Sequence, residues 1–327
     1  MANQLQVGND MKTTQVKVIK PKKRNSVLRE LYTNRALYLM TIPAFIFLII
    51  FNYVPLYGIQ IAFRNFNVVD GITRSPFVGL RNFEFFFKSD FFLSVTFNTL
   101  YLNFLFIFAG LFMQVSTAIL ISEILNKRLK KALQTAMFFP YFISWVIITA
   151  LVTALLNEKF GVLNKVLTDL NLQTVVWYNE AKLWPAILTI ASVWKGLGYG
   201  VVIYLAKITG IDIQIYESAR IDGANKFQEI ICITLPMLKP TIVLLLLIAI
   251  GGMFRGDFGM IYSLIGDNGM LLSTTEIIDT YVYRAMRVNS QYGMAAAVGL
   301  YQSVMGLVLV LISNHLIKRY DKDLAIF

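Results

Sequence analysis

The charges of this chain are bunched, and the stretches between the bunches are too long and too apolar for the interior of an ordinary soluble domain. Residues 36–63, 91–122, 132–157 and 288–317 contain no Asp, Glu, Lys or Arg. Each exceeds the roughly 20 residues that an α-helix needs to cross the hydrocarbon layer. Two more stretches, 183–206 and 240–266, are as long but are interrupted by Lys195 and by Arg255 with Asp257. Charged residues make up only 15% of the chain, against about 25% in soluble domains. The six segments are apolar all round, which excludes surface helices with one polar face. Runs such as 242–250 do not alternate, which excludes a membrane β-barrel. The fold class expected is therefore all-α: a polytopic membrane helical bundle with six transmembrane helices.

Lysine and arginine fall unevenly about these spans, with nineteen on one side and nine on the other. The richer side holds the N-terminal tail, the 127–131 loop, the segment between the fourth and fifth spans, and Lys318, Arg319 and Lys322. By the positive-inside rule that side is cytoplasmic, so both termini are expected there and the number of spans must be even. The net charge of +11 reads as this topology signal, with lipid as the partner of the basic tail and no nucleic acid. Residues 1–35 are expected to form a basic cytoplasmic tail, with a short interfacial helix over 25–35. Residues 36–92 hold the first span and a phenylalanine-rich outer loop that suits an interfacial anchor. Residues 93–317 form the core, with a cytoplasmic loop at 209–239, and 318–327 the C-terminus. Gly252 with Gly256, and Ala295 with Gly299, have the spacing that lets helices approach closely.

Motifs for catalysis are missing. There is no G-x-x-x-x-G-K-[ST], H-E-x-x-H, G-x-S-x-G or C-x-x-C, and one cysteine and one histidine support no metal site. We assign no catalytic residue, no metal ligand and no cofactor to the chain. Asp257 is the one clear intramembrane carboxylate, too few for a proton relay.

The most informative loop runs Tyr216-Glu-Ser-Ala-Arg-Ile-Asp-Gly-Ala-Asn225 and on to Ile233-Thr-Leu-Pro236. It reads as two short helices hinged at Gly223, with Asp222 capping the second and Pro236 ending the element before the fifth span. Ser218, Ala219 and Ala224 give it a low profile, and Glu217, Arg220 and Asp222 supply charges to fix a register against a partner.

The pattern Glu217-Ser-Ala219, Asp222-Gly-Ala224, Ile233-x-Leu-Pro236 closely resembles the EAA loop of type I binding-protein-dependent ABC importer permeases. Further matches run along the chain after about residue 30: Phe77-Val-Gly-Leu-Arg-Asn-Phe83, Asn98-Thr-Leu100, Phe139-Pro140, Ser144-Trp-Val146, Gly161-Val-Leu-Asn164 and Ile278-Asp-Thr-Tyr-Val-Tyr283. Together they are similar to the branch for oligosaccharides released from complex polysaccharides. The resemblance implies a multi-pass permease of the bacterial plasma membrane that works by alternating access. It implies a second homologous permease, two cytoplasmic ATPase subunits carrying ATP and magnesium, an extracytoplasmic sugar-binding protein and an oligosaccharide substrate. Glu217, Ser218, Ala219, Asp222, Gly223 and Ala224 would then dock on an ATPase, and Leu235 and Pro236 would end the element.

Trp194, Lys195 and Tyr199 on the fourth span, with Phe254, Arg255 and Asp257 on the fifth, are candidates to line a sugar pathway. Aromatic faces stack on sugar rings, and Lys195 with Arg255 would favour acidic saccharides. The competing reading is an ion-pair network among Lys195, Arg255 and Asp257 that only holds the bundle together. A secondary saccharide transporter, or a membrane enzyme acting on lipid-linked sugars, would be the alternative functions; the second requires surface carboxylates that the sequence does not group.

Overall fold

The computed structural model describes residues 32–320, all of whose regular structure is helical apart from one isolated bridge, Arg64 to Phe77. Most of the basic tail, including residues 25–31, and the last residues 321–327 lie outside the described part. Five helical runs are long and apolar enough to cross a membrane: Arg35–Phe63, Phe91–Ser122, Ala181–Thr209, Lys226–Gly251 and Tyr292–Arg319. A sixth is the pair Lys127–Phe142 and Trp145–Leu156, bent by 100°.

The chain divides after Tyr57 into two units. In the first, Arg35–Leu48 carries Pro43 inside the helix and buries no residue. The helix then widens into a π turn, Ile49–Tyr53, in which the Val54 N–H reaches back five residues to the Ile49 carbonyl. That turn accommodates Pro55, which has no N–H to offer.

In the second unit the second and third spans lie against the fourth where its glycines Gly198 and Gly200 remove side chains. A Cβ on Gly198 would lie 2.5 Å from both the Met137 carbonyl carbon and the Phe138 Cα, so only glycine admits the end of the Lys127–Phe138 helix here. Gln114 on the second span reaches across to the Gly196 carbonyl at 3.4 Å. Below this contact Val115, Ala118, Tyr204, Leu205 and Leu238 form one apolar cluster, and above it Leu102, Trp184, Leu188, Met260 and Leu264 form another. Only 28% of the central windows of the second and fourth spans is buried, which leaves broad apolar faces for lipid or for another subunit.

The third span breaks where Phe139-Pro140 forms a 3-10 turn and Ser144 caps the next helix by accepting from the Ile147 N–H at 3.4 Å. The fifth span departs from the sequence reading at both ends. It starts at Lys226 and stops at Gly251, whereas the apolar stretch 240–266, interrupted by Arg255 and Asp257, was expected to form it. Pro236 does not end the preceding element; it sits near the start of a continuing helix because a second π turn, Ile230–Thr234, passes the Leu235 N–H to the Ile230 carbonyl. Beyond Gly251 the backbone is non-helical until Phe258–Ile265. Gly252 and Gly256 therefore belong to a break and not to a helix-packing face. The close approach of the fifth and sixth spans is at Gly251, where a Cβ would meet Val310 Cγ2 at 2.9 Å.

Gly198→Ala should cost about 1–3 kcal/mol through overpacking against backbone that has little room to move. A drop in the thermal unfolding midpoint of the purified protein would show it. Gly252→Ala, whose Cβ would meet only the Ala249 carbonyl at 3.5 Å, should leave the midpoint unchanged.

Candidate functional site

Between the fourth and fifth spans the chain makes a short helix, Ile213–Ile221, that is capped by Asp212 accepting from the Gln214 N–H at 3.0 Å. Gly223, with φ of +85°, ends it: the Ala224 N–H turns back to the Ala219 carbonyl at 2.9 Å and Gly223 N–H to Arg220 at 3.1 Å. This left-handed closure is the glycine-terminated helix end in which a Cβ is disfavoured. The closure carries the chain two residues past Asp222 before the next helix begins. Asn225, not Asp222, is consequently the cap of that helix, in a reciprocal pair with Gln228 at 3.0 and 2.8 Å.

The underside of the loop is fastened by charges that sequence reasoning passed over. Glu229 is 3% exposed and receives Arg220 through Nε at 2.6 Å and Nη2 at 3.2 Å. Lys226 bridges Glu229 at 3.1 Å to Glu123, at the end of the second span, at 2.8 Å. Tyr216 and Thr234 share a hydroxyl contact of 2.9 Å. Arg220, expected to face a partner, is thus engaged within the chain. The upper face is left open: Glu217, Ser218 and Asp222 are exposed, as are Ile221 at 87% and Phe227 at 71%. Bulky apolar side chains standing in water beside polar ones mark an interaction surface. Ile221 and Phe227 could have been singled out in the sequence as apolar residues inside a charged loop.

The six pathway candidates separate into two groups. The Lys195 ammonium donates to the carbonyls of Tyr141 at 2.9 Å, Pro140 at 3.5 Å and Ile143, all in the break of the third span. It also lies 5.3 Å from the Trp145 ring. Asp257 accepts from the Trp145 indole at 2.9 Å and caps the Phe258–Ile265 helix through the Met260 N–H at 2.9 Å. Phe254 is buried, and its carbonyl accepts from Gln302 at 2.5 Å. These three hold backbone in place. No ion pair among the described residues joins Lys195, Arg255 and Asp257, so the competing ion-pair reading gives way to bonds to carbonyls and to an indole.

Trp194, Tyr199 and Arg255 are exposed. Tyr199 stacks on Tyr141 with centroids 5.2 Å apart and planes at 12°, so Tyr141 joins the aromatic wall. The Arg255 guanidinium makes no hydrogen bond or ion pair with any described residue, although its charge reaches Asp279, a carboxyl that burial pushes above the usual range. Asp279 in turn accepts from the Gly256 N–H at 2.8 Å and from Gln302 at 2.9 Å, fixing the break beside Arg255.

A family model described as the binding-protein-dependent transport system inner membrane component matches residues 107–322, a stretch that contains the fastened loop and both breaks. The chain belongs to this family. It is a membrane permease, not an enzyme. Among its relatives is the polygalacturonan/rhamnogalacturonan transport system permease protein YteP of Bacillus subtilis (strain 168), 33% identical over 94% of this chain and 95% of that one. Protein LplB of the same organism is 30% identical over 91% and 93%. A chain of a bacterial alginate ABC transporter, solved in complex with an alginate pentasaccharide-bound periplasmic protein, superposes with a TM-score of 0.83 at 33% identity. That match covers 90% of this permease and 98% of the solved chain.

Glu229→Ala should loosen the loop of the permease without disturbing the spans. Because Arg220 is half exposed, the pair is only weakly stabilising, and amide exchange over 213–228 should rise about fivefold. Hydrogen exchange read by mass spectrometry checks this, with the 184–209 helix as the internal reference.

Proposed function

We propose that this permease is one of two membrane subunits of an ATP-driven importer that takes uronate-bearing oligosaccharides from an extracytoplasmic binding protein. In this reading the 213–229 loop and both termini face the cytoplasm of a bacterium, as the excess of lysine and arginine on that side supports. Two ATPase subunits, holding ATP and magnesium, receive the exposed face formed by Glu217, Ser218, Ala219, Asp222, Gly223 and Ala224, flanked by Ile221 and Phe227. A second homologous permease covers part of the broad apolar surface of the spans.

The observation that carries the reading is the loop itself: a small-residue face open to solvent on a base clamped to the second and fifth spans. A loop held so firmly passes a push from a partner into the bundle instead of yielding to it. Closure of the ATPases would favour the outward-open arrangement, and nucleotide must bias the two states by several kcal/mol for the cycle to run in one direction. Leu235 and Pro236 then lie within the transmitting helix.

The substrate class rests on two relatives whose names concern acidic polysaccharides, polygalacturonan and alginate, and on Arg255. Trp194, Tyr199 and Tyr141 supply exposed aromatic faces on the third and fourth spans, and Arg255 supplies an unpaired cation. Lys195, engaged by three carbonyls, contributes to the shape of the pathway and not to the choice of substrate.

Uptake of labelled oligogalacturonides into proteoliposomes holding the assembled importer tests the whole reading. It should require ATP, and it should be abolished by Gly223→Pro, since proline cannot adopt a φ of +85°. ATP-independent uptake would refute it. Arg255→Gln should reduce uptake of a uronate oligomer by about tenfold while sparing a neutral one, the cost of one charged hydrogen bond. Lys195→Met should depress both alike.

A further inference from the structure

On the face opposite the fastened loop, where the second span begins and the sixth begins, three segments enclose a recess of about 330 Å³. They are the strand-like stretch after the first span, the turn and short helix around Arg81, and the bend at Ser290, a non-glycine residue with φ of +53°. The walls are fastened. The Asn82 amide donates to the Ala62 and Arg64 carbonyls, both at 2.9 Å. A Cβ on Gly293 would lie 2.7 Å from that amide, so the start of the sixth span is seated directly against it. Phe66 meets Tyr292 edge to face, with centroids 5.7 Å apart.

The lining is selective in its chemistry. It includes Arg64, Arg81, Asn65, Gln291, Phe66 and Tyr292, and it contains no carboxylate. Arg64 is held through Nη1 alone, which donates to the Ser75 carbonyl at 2.8 Å and to Thr73 at 3.3 Å. Arg81 is exposed, and its guanidinium has no hydrogen-bond or ion-pair partner among the described residues. Two guanidinium groups with free donors match a carboxylate. Amides and aromatic faces beside them match hydroxyls and a sugar ring. The volume falls at the small end of the about 300–1,000 Å³ usual for ligand pockets, enough for a single ring. Arg64 and Arg81 lie outside residues 107–322, the stretch the family model matches.

We propose that this recess is an outer subsite for one uronate residue of an oligosaccharide, separate from Trp194, Tyr199 and Arg255. The proposal rests on the acidic-saccharide reading above. Its role is to hold the acidic end of the chain at the mouth of the permease before entry.

The test uses the assembled importer, without binding protein, in phosphatidylcholine nanodiscs, with galacturonate and galactose as probes in saturation-transfer NMR. Galacturonate should bind and galactose should not. Arg81→Gln should weaken galacturonate at least about tenfold, and Arg81→Lys, which keeps the charge but loses the fork, should fall between. Unchanged galacturonate binding in Arg81→Gln would overturn the proposal. So would a variant that binds galacturonate normally but loses association with the binding protein, since the recess would then dock a protein carboxylate. Displacement of galacturonate when phosphatidylglycerol replaces phosphatidylcholine would assign the recess to a lipid headgroup and overturn it as well. ATP-dependent uptake measured on the same wild-type preparation separates the two readings: uptake of oligogalacturonides with no Arg81 effect removes the subsite and leaves the importer standing.

Discussion

Hydrocarbon offers no water to a free carbonyl, so a membrane helix can be interrupted only where another part of the protein supplies the missing hydrogen bonds. This permease interrupts its helices at 139–144 and at 252–257, and the rest of the bundle is arranged around meeting that demand. Lys195 from the fourth span serves the carbonyls of the first break. Trp145, just past that break, bonds to Asp257 in the second. Asp279 and Gln302 complete the second from the short helix Ile278–Arg287 and from the sixth span. The third, fourth, fifth and sixth spans are thereby joined by one polar seam, and neither break can shift far without costing the other a bond.

The fastened loop enters the same frame through the fifth span. From Lys226 to Gly251 the helix is continuous through its π turn, and at 1.5 Å per residue that makes a rod of about 39 Å. Its lower end carries Glu229 and Lys226, clamped to Arg220 and Glu123. Its upper end stops at the break that Asp257 and Asp279 hold. A displacement of the loop therefore has one stiff route toward the seam. The widened turn at Ile230–Thr234 is what keeps that route unbroken in spite of Pro236.

The spans were legible because charge avoidance over more than 20 residues is a local signal, and the loop was legible because its small residues and Gly223 are contiguous. What escaped was decided by groups far apart in sequence. Pro140 and Ser144 advertise a possible break, but whether a membrane tolerates it depended on Lys195, more than fifty residues on. Starting the fifth span at Pro240 followed from the charge of Lys239 just before it, and the separate reading of Pro236 as a stop holds for an α-helix and fails for a π turn that already reaches back five residues. Asp222 looked like a cap because it precedes Gly223, yet the left-handed closure at Gly223 moves the next helix start to Asn225. Glu123, Lys226 and Glu229 read as ordinary loop charges, since their pairing exists only once the second and fifth spans have come together.

The three charges that interrupt the fourth and fifth apolar stretches of the sequence differ in how the structure satisfies them. An ammonium carries three donors and no acceptor, and Lys195 faces the carbonyls of Pro140, Tyr141 and Ile143 in the break of the third span, so its chemistry is matched by the protein alone. Asp257 is matched in the same way by an indole and a backbone N–H. Arg255 is not: its guanidinium stands exposed on a segment that Asp279 and Gln302 hold still. A guanidinium held in place with its donors free matches a visiting carboxylate. In the proposed importer, charge selectivity would therefore fall to Arg255 and not to Lys195, whose ammonium is taken up by the carbonyls it binds.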